Sequence, residues 1–122
     1  MGSDSSFFVL FQEPSLTLDD AEKKLAYWKP ARSGNGLSIK AGDTEIRIGL
    51  SDQPHVIDEA REIAEGADNA EIAKCPRRFE CLIGDLEAAL TDYTVLQGIQ
   101  EDLHNLTKGF VFLTWNGNVL EM

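Results

Sequence analysis

The sequence predicts one α+β domain of 122 residues, with a βαββαβ core over residues 7–83, a long helix over 85–107 and a C-terminal β-hairpin over 110–121. Three observations predict it. Leu86, Ala89, Leu90, Tyr93, Leu96, Ile99, Leu103 and Leu106 recur at steps of three and four, one face of a helix about six turns long. Leu37 and Ile39, then Ile46, Ile48 and Leu50, alternate with polar residues or glycine, as strands with one dry and one wet face do. Finally, the apolar run Phe110 to Trp115 leads into Asn116-Gly117, the strongest short hairpin signal.

Taken in order, Phe7 to Phe11 is apolar on both alternating faces, the pattern of a strand covered on both sides, and Pro14 closes it. Thr17 with Asp20 three residues on makes a capping box, Asp standing in for Glu. Leu18, Ala21, Leu25 and Trp28 then mark one helical face, which Pro30 ends. Ala31 to Gly36 reads as a loop, and Ala41-Gly42-Asp43 as the turn between the two alternating strands. Pro54 suits the first turn of a second helix, with Val56, Ile57, Ala60, Ile63 and Ala64 as its buried stripe and Gly66 as its end. Glu71 to Lys74 and Arg78 to Ile83 are strand-like, and Pro76 between them suits a bulge or an edge. Asp85 is the expected N-cap of the long helix and Gly109 its stop. Gly98 inside that helix costs about 1 kcal/mol relative to alanine, so a close neighbour is expected there.

The order strand, helix, strand, strand, helix, strand over residues 7–83 is that of the ferredoxin-like split βαβ pattern. If every strand joins one sheet, the long helix is expected on the face that the first two helices leave open. Leu86, Leu90, Tyr93, Leu96 and Leu103 are then expected to be buried. Met1 to Ser6 is expected to be disordered or non-native.

Composition bounds the function. No apolar run approaches the 18 residues of a membrane span. Cys75 and Cys81 read as free buried thiols of a cytoplasmic protein. Asp plus Glu is 21 against 11 Lys plus Arg, a net charge of −10, which repels nucleic acid and anionic membrane and attracts basic partners. There is no phosphate loop: Ser33-Gly34-Asn35-Gly36 lacks the lysine and the spacing. Cys75, Cys81, His55 and His104 lack finger-like zinc spacing, so no metal and no cofactor is expected. The acidic pairs Asp19-Asp20, Asp58-Glu59 and Glu101-Asp102 point about 100° apart on a helix, as solvated faces do.

One stretch stands out. From Asp52 to Glu71 seven acids face a single base, Arg61. Asp58, Glu62 and Glu65 share the face opposite the apolar stripe, although like charges at such steps cost a few tenths of a kcal/mol each. The expectation is a non-enzymatic module that binds a basic protein through Asp58, Glu59, Glu62, Glu65 and Asp68, with Trp115 and Asn116 as a second contact. An immunity-type inhibitor of a basic, nuclease-like toxin fits by size and charge, because nucleases need basic clefts to hold phosphate. The rival expectations are a ligand-sensing or regulatory domain, and a small enzyme using Cys81 or a carboxylate pair.

Overall fold

In a computed structural model of the chain, residues 5–91 and 93–120 are described. The elements are β1 (Ser6–Phe11), α1 (Leu18–Lys24), β2 (Ala31–Ser33), β3 (Gly36–Ala41), β4 (Thr44–Ser51), α2 (Pro54–Ala67), β5 (Arg77–Ile83), α3 (Leu86–Thr91), α4 (Tyr93–Thr107), β6 (Phe110–Leu113) and β7 (Val119–Leu120). Short 3-10 turns follow α1 at Ala26–Trp28 and precede β5 at Ile72–Lys74.

The mixed α+β class is as expected, and the sheet is larger than the expected core. Among the described residues seven strands lie in the order β2-β3-β4-β5-β1-β6-β7, and every neighbouring pair is antiparallel. That order departs from a ferredoxin-like sheet. A split βαβ unit has a third strand between the two that its helix joins, whereas α2 joins β4 and β5, which are direct neighbours. Order along the chain does not encode order across a sheet.

Two apolar faces explain why β1 reads as apolar throughout. Phe7, Val9 and Phe11 point into the larger core with Leu37, Ile39, Ile46, Ile48, Phe79 and Cys81, under Leu18, Ala21 and Leu25 of the α1 region and Ala89, Leu96, Ile99 and Leu103 of α3 and α4. Leu10 points the other way, against Ala60 and Ala64 of α2 and Ile72 and Cys75 beyond it, with Phe8, Phe110 and Phe112 alongside. The result is three layers, with α1, α3 and α4 on one face and α2 on the other. The expected partition, with α1 and α2 together, is corrected accordingly.

Several local expectations hold. Thr17 and Asp20 form the complete capping box, and Asp85 Oδ1 accepts from the Ala88 N–H at 3.2 Å. Leu96 and Leu103 are fully buried. Leu90 and Tyr93 are not: each is 45% exposed, while Ala89 fills the core position. Leu90 follows Ala89 by one helical step, about 100°, which carries it from the core face to the rim.

Other boundaries move. β1 starts at Ser6, whose pairing partner is Leu82, one residue before the expected Phe7. The expectation for residues 1–4 and for the hairpin beyond Leu120 lies outside the described residues. Within the expected loop, Ala31–Ser33 is an edge strand on β3. Ile72–Lys74 is a 3-10 turn rather than a strand, and Pro76 precedes an interior strand. α2 runs past Gly66 to Ala67 and is closed by Asp68 in the left-handed region, φ 53°. Likewise Lys108, φ 56°, turns the chain after α4. Gly109 is needed for another reason: a Cβ there would overlap the Leu10 carbonyl oxygen of β1.

Candidate functional site

α2 is amphipathic because its apolar residues fall at helical spacing. Val56, Ala60 and Ala64 are buried, and Ile57 and Ile63 are partly buried. The opposite face carries Asp58, Glu62 and Glu65, all exposed. Arg61 reaches Asp58 at 3.5 Å, but both side chains are about 70% exposed, so water screens the pair. The three carboxylates therefore form a solvated, single-signed surface.

Glu59 is set apart from that surface. Its Oε1 lies 2.7 Å from Arg78 Nη1, and Arg78 is only 4% exposed. Glu80 closes the other side of the guanidinium, accepting from Arg78 Nε and Nη2 at 2.7 Å each. The guanidinium also sits 4.0 Å from the centroid of the Phe8 ring, a cation–π contact. Arg78 thus pins α2 to the sheet, and Glu59 serves the fold. The visible trace in the sequence is the spacing of Arg78 and Glu80 two residues apart, which places both on one face of β5.

The remaining expected residues divide. Asp68 is exposed at the end of α2. Trp115 is half-buried and packs against the larger core, whereas Asn116 is exposed, its Oδ1 accepting from the Asn118 N–H at 2.9 Å. The end of α2 and the turn after β6 do meet. Gly66, Ala67 and Asn69 line a cleft of about 520 Å³ together with His104, Gly117 and Asn118. His104 and Leu120 also line a second cleft, of about 620 Å³, along the outer face of α4. The acidic helix thus ends at a surface that continues past His104 to α4, a neighbourhood the sequence gives no means of assembling.

The thiols are far from reactive. Cys75 and Cys81 are both free and buried. Burial, helped by the nearby Glu71 charge, pushes the Cys75 thiol up to about 11. Full burial, with Glu80 adding to it, pushes the Cys81 thiol well above its ordinary value. A nucleophile needs a thiolate, which these surroundings disfavour. His55 is exposed in the first turn of α2. Among the described residues no group of three or more His, Cys, Asp and Glu is placed to hold a metal ion, and no helix is long and apolar enough to cross a membrane.

No protein-family model, curated protein or solved structure matches the chain.

Proposed function

We propose that the chain is a non-enzymatic binding module whose α2 face, with Asp58, Glu62, Glu65 and Asp68, steers and docks a basic protein. The observation that carries this reading is the division of labour along α2. Glu59 is drawn inward to Arg78, and the other three helix acids are left exposed beside one solvated arginine. A stable helix has no need of that clustering, since like charges at steps of three and four oppose it slightly. A single-signed surface does raise the encounter rate with an opposite one.

A nuclease-like toxin is the partner class that best fits this charge, with the chain as its immunity-type inhibitor, because an acidic surface competes for the cleft that holds phosphate. Free thiols fit a cytoplasmic setting. The test is capture of partners from the native cell at low salt, with identification of what elutes as salt rises. Basic proteins released at moderate salt support the reading. Capture unchanged by Lys at positions 62 and 65 would remove it.

A further inference from the structure

Gln100 is a polar residue in a core position. It is 2% exposed, in α4 where the buried face of Leu96, Ile99 and Leu103 meets the cleft along the helix. Its amide has no hydrogen-bond partner among the described residues, yet no fully enclosed side-chain nitrogen or oxygen among them lacks one. The amide must therefore reach a surface, and the surface it lines is the 620 Å³ cleft along α4. The Gln100 side chain is thus almost wholly buried while its amide is left to the cleft for hydrogen bonding.

The other walls are Tyr93, Gln97, Glu101, His104 and Asn105, with Leu120 at the end. Apart from Leu120, they share one chemical property: each can offer an acceptor or a π face. Glu101 contributes a carboxylate, and Gln97, Gln100 and Asn105 contribute amide oxygens. His104 Nδ1 lies 2.9 Å from the Gly109 carbonyl oxygen, which can only accept, so Nδ1 carries the proton. In the neutral ring Nε2 is then an acceptor too. Tyr93 is 45% exposed and can present a ring face. Among the described residues neither lysine nor arginine lines the cleft. An anionic ligand would meet a carboxylate with no compensating cation.

We propose that this cleft is a socket for an arginine side chain of the basic partner. The proposal rests on the charge-steering reading of α2 and names the contact that follows encounter. A guanidinium carries five N–H donors in a plane, matched to several acceptors around it, and its flat face stacks on an aromatic ring. A lysine ammonium offers three donors and no plane, and would leave part of this lining unpaired. The socket is joined to the C-terminal end of α2 rather than to its acidic face: His104 and Leu120 line both it and the neighbouring cleft that Gly66, Ala67, Asn69 and Lys108 border. Arginine anchors in partly desolvated pockets are frequent carriers of binding energy at protein interfaces.

The test is an NMR titration of the ¹⁵N-labelled full chain with N-acetyl-arginine amide, N-acetyl-lysine amide, free L-arginine and D-glucose. The expected result is saturable movement of the Gln97, Gln100 and Asn105 side-chain amide signals by the blocked arginine, at least tenfold tighter than by the blocked lysine. Glu101→Gln, at an exposed position, should weaken that binding about tenfold. Gln100→Met, close in volume, should do the same, its fold checked by thermal melting. Equal response to arginine and lysine would reduce the socket to general acidity and overturn it. So would tighter binding of glucose, or of free L-arginine over the blocked form. A result confined to the cleft signals bears on the socket alone, because Glu62 and Glu65 lie outside the cleft and their replacement tests the steering reading separately.

Discussion

Trp28 and Asp102 are joined by a hydrogen bond, the indole Nε1–H donating to Asp102 Oδ2 at 3.0 Å. The two residues lie 74 positions apart, and the bond ties the turn after α1 to the middle of α4. It exists because Gly98, one turn before Asp102, has no side chain: a Cβ there would overlap the indole atom Cζ2. Gly98→Ala should therefore destabilise the protein by about 1–3 kcal/mol through overpacking, despite alanine's gain of about 1 kcal/mol in helix propensity. Urea unfolding of the variant checks it. A more stable variant would show that the indole moves aside at little cost.

Arg78 gives a second prediction. Arg78→Ala removes the cation between Glu59 and Glu80 together with its packing on Phe8. Losing one partner of a buried pair costs about 3–5 kcal/mol when the remaining charge is sealed from water. Here Glu59 and Glu80 keep side-chain exposures of 43% and 34%, so the expected loss is smaller, about 2–3 kcal/mol. Arg78→Met should recover much of it by keeping the stem's packing. Equal losses in the two variants, measured by denaturant titration, would assign the whole effect to charge.

The thiols predict a pH window. Cys75 titrates near 11 in the fold against an ordinary value of 9.0, so the folded state favours the neutral thiol. Its stabilising contribution is complete below pH 9 and disappears as pH rises through 11. Cys75→Ala should accordingly lose less stability than the parent between pH 9 and pH 11. At pH 8 neither thiol should react with an aromatic disulfide reagent until the protein is unfolded. Rapid labelling of the native chain would contradict the burial of both.

Reversal of charge on α2 gives the functional prediction. Glu62→Lys with Glu65→Lys should leave the thermal melt unchanged or slightly raised, because exposed charges contribute little and like-charge repulsion is relieved. The association rate with a basic partner should fall severalfold at low salt. The difference should shrink at high salt, where screening shortens the reach to about 3 Å at 1 M. Equal association rates at low salt would leave the α2 face a solvated surface and nothing more.

What the sequence revealed depended on how far each signal reaches. The Thr17 and Asp20 capping box, the Asp85 cap and the close approach at Gly98 involve one turn or a single missing side chain, and all are present. Strand β2 left no trace because its three residues are all exposed, so no alternation marks it. Leu90 and Tyr93 carry apolar side chains yet face outward, since periodicity gives the direction of a stripe better than its width. Sheet order, the role of Arg78 and the α4 cleft depend on contacts between distant segments. For those, residue spacing carries little information.

The place of β1 within the sheet bears on how the chain acquires its fold. Phe7 pairs with Cys81 on one side and Leu113 on the other, and Ser6 donates its N–H to Thr114, 108 positions later. As the polypeptide grows, the run Ser-Phe-Phe-Val-Leu-Phe is made before both of its neighbours and waits for them. Meanwhile it is a segment with five consecutive apolar residues, Phe7 to Phe11, of high β-propensity and with free edges, the kind that self-associates. Closing such distant pairs costs loop entropy before any contact repays it, which slows folding relative to a helical bundle. The strand that anchors the finished sheet is thus the one most in need of protection before the sheet exists.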